Sequence, residues 1–209
     1  MAGLWDKTLN IGSNASGAAA AGREKRVVMI VDIIDMSTTA EAVKEAGAVE
    51  IYGASPALHQ APVQLNPEKI GYIAGKKAVK LRTGIIAVAE PRIMEKNEER
   101  KKNIKSVMAG TEKAGGKISK IVPNLGKETV KLAKFKNRIV IIISSAGGTA
   151  FDAAFTGGAV KVITGTIAST NKLKGDEPAE KAAERAIKIA DELKTGISII
   201  ASSSNARED

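Results

Sequence analysis

Residues 27–53 read VVMIVDIIDMSTTAEAVKEAGAVEIYG, and residues 138–165 read RIVIIISSAGGTAFDAAFTGGAVKVITG. Aligned on Gly47-Ala48-Val49 and Gly158-Ala159-Val160, the segments keep an offset of 111 residues that also superposes Thr38 on Thr149 and Ala42 on Ala153. Each opens with a continuous Val/Ile run, the pattern of a parallel strand covered on both faces. A polar turn, an alanine-rich helical stretch, a glycine and a second apolar run follow. The chain therefore carries two related βαβ units, which specify a layered α/β fold with a mainly parallel sheet and helices on both faces.

Outward from the repeat, apolar runs predict strands at 27–32, 49–53, 84–89, 118–122, 138–144, 160–164 and 197–201. A helix is predicted over 95–114 from Ile104, Val107, Met108, Thr111 and Ala114, which recur at helical spacing. A last helix is predicted over 178–194, with Pro178 at its start and Gly196 beyond its end. Residues 54–82 hold Pro56, Pro62 and Pro67, then Lys76, Lys77, Lys80 and Arg82 around Val79 and Leu81. They read as an irregular excursion and an edge strand whose outward cations protect the edge or face an anionic ligand. Residues 1–25 are rich in Gly, Ser and Ala without periodicity and read as a flexible arm, with Trp5 pinning its start to the body or to a neighbouring subunit. Residues 26–209 are then one α/β domain, of a size that buries a single core.

Composition removes several function classes. With no cysteine and a lone histidine, His59, the chain has neither a disulfide framework, a thiolate centre nor a multi-histidine zinc site. Its apolar runs are too short to span a bilayer and no signal segment opens it, so a cytoplasmic protein without a membrane partner is expected. The net charge of +9 is spread along the chain and aromatic content is 3%, which argues against nucleic acid as the partner. A solvated lysine-rich surface, or a small anionic ligand, accounts for the charge. A homo-oligomer is compatible with these features.

The chemistry concentrates in the two turns. Ser37, Thr38 and Thr39 in one unit, and Ser144, Ser145, Gly147, Gly148 and Thr149 in the other, fall where a strand ends and a helix begins. The first turn of a helix presents unsatisfied N–H groups and the positive end of its dipole, so a phosphate, sulfonate or carboxylate is stabilised there. The same residues also suit plain helix caps and chain turns. Asp32, Asp35 and Glu90 lie at strand ends, and Asp152 enters the second helix. Hard carboxylate oxygens of this kind suit Mg2+, which takes one or two of them and completes its shell with water and substrate phosphate. Capping by the same acids is the alternative. An aspartyl nucleophile of the haloacid-dehalogenase type fits poorly, because two residues separate Asp32 from Asp35 where that pattern has one.

On these residues the chain resembles the 2-phosphosulfolactate phosphatase family of coenzyme M biosynthesis. The family's D-x-x-R-[AS]-[TS]-T-T turn is matched by Asp32-Ile33-Ile34-Asp35-Met36-Ser37-Thr38-Thr39, followed by Gly47-Ala48. Its later T-T-N-G-T turn is echoed by Ser144-Ser145-Ala146-Gly147-Gly148-Thr149, followed by Gly158-Ala159. The resemblance implies a magnesium-dependent phosphatase (a hydrolase) of a small anionic phosphate ester. Asp32 and Asp35 would then be catalytic, Asp32, Asp35 and Glu90 would hold metal, and the two polar turns would bind substrate. The chain departs from the family at Asp35, where the family has arginine, and lacks its central G-F-x-x-G-N-S-P segment. The divergence leaves a second expectation open, a non-catalytic small-anion-binding or regulatory protein on the same fold.

Overall fold

The computed structural model describes residues 8–32 and 36–202. Its elements run β1 (Leu9–Ser13), α1 (Asn14–Arg23), β2 (Val27–Asp32), α2 (Met36–Glu45), β3 (Glu50–Ala54), α3 (Pro67–Lys80), β4 (Ile85–Ala89), α4 (Asn97–Asn103), α5 (Lys105–Lys113), β5 (Ile118–Pro123), β6 (Ile139–Ile143), α6 (Gly147–Gly157), β7 (Lys161–Thr166), α7 (Glu177–Leu193) and β8 (Ile197–Ala201), with a 3-10 segment at Gly126–Lys131. All the strand pairings are parallel. The expected layered α/β architecture holds, with the strands shared between two four-stranded sheets, ordered β1-β8-β2-β7 and β3-β6-β4-β5.

Alternation along the strands sets the layers. In β2, Val28 and Ile30 face a core shared with α1, α2 and α6, whereas Val27 and Met29 face Ala182, Ala186 and Ala190 of α7. In β6, Val140 and Ile142 join that shared core, while Ile139, Ile141 and Ile143 face Ile70, Ala74 and Ala78 of α3. The inner strands of both sheets are therefore covered on two faces, which is why they read as unbroken apolar runs. Each fully buried Ile side chain contributes about 1.5–3 kcal/mol. The layers run α7, first sheet, α1 with α2 and α6, second sheet, then α3 with α5.

The repeat is interlocked. The first strand of one unit pairs with the second strand of the other: β2 lies beside β7 and β6 beside β3. Glu50 and Lys161, equivalent positions of the two units, face each other as a 3.3 Å ion pair. The helices exchange partners as well. Glu41 on α2 accepts a hydrogen bond from Thr164 on β7 at 2.9 Å, and its counterpart Asp152 on α6 accepts one from Ser55, just after β3, at 2.6 Å. The two units are thus arranged about a pseudo-twofold axis, with their strand ends and polar turns at the same end of the molecule.

Three sequence expectations are corrected. The segment assigned to a flexible arm forms β1 and α1 from Leu9 to Arg23, with Ala15, Ala18, Ala19, Ala21 and Gly22 buried against α6. Its small residues permit close approach: a Cβ on Gly22 would stand 2.5 Å from the Ala154 carbonyl oxygen. Gly/Ala composition, taken as too poor to bury surface, is the contact surface itself. Trp5 lies outside the described residues. The basic edge strand expected near Lys76–Arg82 is also absent, because Pro67–Lys80 is helix α3. Asn66 caps it by accepting from the Lys69 N–H at 2.9 Å, Pro67 opens it, and Lys76, Lys77 and Lys80 form its exposed face. The long helix expected over 95–114 is interrupted at Ile104, giving α4 and α5.

Helices α3 and α5 also meet through glycine: a Cβ on Gly110 would collide with the Glu68 carbonyl oxygen and approach the Tyr72 N to 2.8 Å. Gly110→Ala is therefore expected to lower stability by about 1–3 kcal/mol through overpacking, despite alanine's better helix propensity. Urea denaturation reads this directly, and an unchanged or raised midpoint would contradict the packing described.

Candidate functional site

The carboxyl ends of β2, β4, β5, β6 and β7 share one end of the molecule, where ligands of open α/β sheets collect. The expected site residues fall there in two roles. Asp32, 2% exposed, accepts from the Met36 N–H at 2.9 Å and from the Ser37 N–H at 3.2 Å. The Ser37 hydroxyl lies 2.6 Å from Asp32 Oδ1 and 2.8 Å from its carbonyl oxygen. Asp32 thus caps α2 and satisfies orphan donors of its first turn. Its carboxylate also abuts the second turn, since a Cβ on Gly147 would stand 2.5 Å from Asp32 Oδ2. A side chain at position 147 would push the carboxylate away, so glycine is required for this approach.

In the second unit Ser144 stands where the first has Asp32. Its Oγ accepts from the Gly148 N–H at 2.8 Å, as Asp32 accepts from the equivalent Ser37 N–H. This turn is one residue shorter than the first, and its cap is neutral. Thr149 donates to the Ser144 carbonyl oxygen at 3.3 Å. Thr38 Oγ1 lies 3.0 Å from Thr166 Oγ1 at the end of β7, and Thr39 donates to the side-chain oxygen of Asn124 and to the Gly126 carbonyl oxygen. Ser145, exposed, donates its N–H and its hydroxyl to Glu90 Oε2, both at 3.1 Å. The structure brings Asp32 to Gly147 and Glu90 to Ser145. Asp35 lies outside the described residues.

Sequence reasoning missed two residues of this end, Arg92 and Asn124. Arg92 follows Glu90 by two positions, and its charge works against the burial of Asp32. The loop that carries it is held by buried Arg100, which donates to the Pro91 and Ile93 carbonyl oxygens, each at 2.6 Å. Asn124 follows β5, fully buried, with its backbone N–H donated to the Ala89 carbonyl oxygen at 3.2 Å. Among the described residues its side-chain Nδ2 has no hydrogen-bond partner. An unsatisfied buried donor costs about 1–3 kcal/mol. The available signal was position, since both residues sit just past the carboxyl end of a predicted strand.

Asp152, the other acid of the turns, is structural. Its oxygens accept from the Ser55 hydroxyl at 2.6 Å, the Ser55 N–H at 3.3 Å, the Asn66 N–H at 2.8 Å and the Thr156 hydroxyl at 3.0 Å. It fastens the start of the excursion after β3 to the cap of α3. Among the described residues, no group of three or more His, Asp or Glu side chains is placed to hold a metal ion. No described helix is long and apolar enough to cross a membrane.

No family model, no curated protein and no solved structure gives a significant match to this chain.

Burial pushes the carboxyls of Asp32 and Asp152 above the ordinary value of 3.8, against the hydrogen bonds that pull them down. The folded protein therefore holds more protons than the unfolded chain between 3.8 and the raised values. The resulting contribution to stability is complete below 3.8, falls as pH rises through that window, and is constant above it. Asp152→Asn removes its share of this dependence, and Asp152→Ala costs about 1–3 kcal/mol by stranding buried donors. The check is melting temperature against pH for wild type and Asp152→Asn. A gap between them that stays constant through the window would mean that Asp152 titrates normally.

Proposed function

We propose that this protein binds a small phosphate- or sulfonate-bearing anion at the carboxyl ends of its strands, without hydrolysing it. The observation that carries the reading is the buried Nδ2 of Asn124, a donor for which the described residues supply no acceptor, at the end of the molecule where α2 and α6 begin. Arg92 adds a cation to that end, and helix N-termini favour anions. Asp32 does not serve as a nucleophile in this reading. It is buried, its oxygens are taken by N–H and O–H donors, and its carboxyl is pushed towards the neutral form.

Magnesium-dependent hydrolysis of a small phosphate ester, as the resemblance to 2-phosphosulfolactate phosphatases implies, is the second reading. The Glu90–Ser145 pair favours it, because it sets a carboxylate and a hydroxyl side by side at neighbouring strand ends. Glu90 fits the metal as a single protein carboxylate, within what magnesium accepts, whereas Asp32 is committed to capping. Bound there, magnesium would neutralise phosphoryl charge and orient water. Arg92 and Asn124 would hold the ester oxygens in either reading.

The test is thermal shift with inorganic phosphate and methanesulfonate, beside a phosphate-release assay with magnesium and small phosphate esters. Ligand at about a hundred times its dissociation constant adds roughly 2.7 kcal/mol, several degrees for a chain of this size. That shift is expected in wild type and lost in Arg92→Ala and Asn124→Asp, with no phosphate released. Magnesium-dependent release that disappears in Glu90→Gln would replace the binding reading with the hydrolase. Absence of both shift and release would overturn both.

A further inference from the structure

We propose that β1 is the seam of a homodimer, in which the β1 strands of two copies pair antiparallel and join their first sheets into one continuous eight-stranded sheet. This rests on a surface separate from the anion site. Among the described residues, strand β1 is an edge, bonded only to β8. Its inner face is closed by α1, where Gly12 packs against Gly17. Its outer face is open, with Leu9 61% and Ile11 81% exposed. Helix α7 covers β2 and β7 but stops short of β1. Between them lies an apolar groove of about 380 Å³, lined by Leu9, Met29, Ala186, Ile187, Ile197 and Ile199.

Edge strands of soluble proteins are ordinarily blunted by lysine, proline, a bulge or a covering element. Residues 8–13, TLNIGS, contain no charge and no proline, and β1 keeps an unbroken register with β8. The occupant is identified by charge and by the strand's own pattern. Two copies that each carry +9 repel, and a strip without charge is where that repulsion obstructs contact least. A second copy matches the strip by its own symmetry, because an isologous interface sets one patch against itself. With the dyad through the middle of the strand, Ile11 lies opposite Ile11 of the copy and Leu9 opposite its Ser13. The two grooves then meet at the dyad, and Leu9, Ile11 and Ile187 of both copies become buried.

The chain has no cysteine, which makes the pairing directly testable. Paired antiparallel residues stand about 4.5–5.5 Å apart at Cα, within the span of a disulfide. Wild type is expected to show twice the chain mass by light scattering at micromolar concentration. Ile11→Cys is expected to form a covalent dimer under mild oxidation, while Leu58→Cys, on a side chain that is 86% exposed elsewhere, does not. Ile11→Lys should restore the single-chain mass with an unchanged far-UV circular dichroism spectrum. A wild type of single-chain mass, or crosslinking of Ile11→Cys no faster than that of Leu58→Cys, overturns the proposal. A single-chain mass together with shielding of Trp5, the only tryptophan, from acrylamide would assign the groove to the amino-terminal segment instead.

Discussion

Helices α2 and α6 lie between two sheets, and most of their residues have no access to water. Every polar group they carry must therefore find its partner inside the protein, since an unpaired one costs more than its hydrogen bond would return. Much of the structure follows from that constraint. Glu41 is answered by Thr164 and by Arg185, which reaches it from α7 at 2.6 Å. Asp152 is answered by Ser55, Asn66 and Thr156. At the N-termini, where four donors of each helix are left over, Asp32 and Ser144 close the first turns. Asp32, which a reader of the sequence would enlist for catalysis, is consumed in sealing this layer.

The same constraint distinguishes two turns that began alike. The first is closed by a carboxylate, Asp32, and the second by a smaller neutral hydroxyl, Ser144, in a turn one residue shorter. An anion of the protein's own thus stands at the start of α2 and against Gly147 at the start of α6. Helix dipoles that would otherwise favour a free anion are partly answered by Asp32. At the rim stand Arg92, Asn124 and the Glu90–Ser145 pair, all placed by strand ends of the second sheet. Binding and hydrolysis make different demands on this rim, since only hydrolysis requires Glu90 to leave Ser145 for a metal.

Interlocking gives the fold its economy of contacts. Because each unit lends its second strand to the other's sheet, neither helix can leave the middle layer without opening both sheets. The pair Glu50–Lys161 marks the axis of that exchange, where equivalent positions meet with opposite charge. Identical residues there would repel, so divergence of the two copies at this position favours the interlocked arrangement.

The sequence by itself determined seven of the eight described strands and the repeat. Apolar runs such as 139–143 can only be strands buried on both faces, and the glycines after each alanine-rich stretch end helices wherever they are placed. It could not assign residues 9–23 or 67–80, because small residues have no periodic signal of their own. They are buried only when a partner helix such as α6 or α5 comes close enough to use them. Nor could it assign roles at the strand ends. Asp32 reads identically as a metal ligand and as a cap, and only the approach of the Met36 and Ser37 amides on one side and Gly147 on the other made it a cap. Arg92 and Asn124 acquire meaning only through neighbours distant in sequence, the buried Arg100 scaffold and Thr39 of α2. Local pattern fixes elements because backbone hydrogen bonding and side-chain period are local. The tertiary structure decided which polar atoms are already paired and which still have a bond to give.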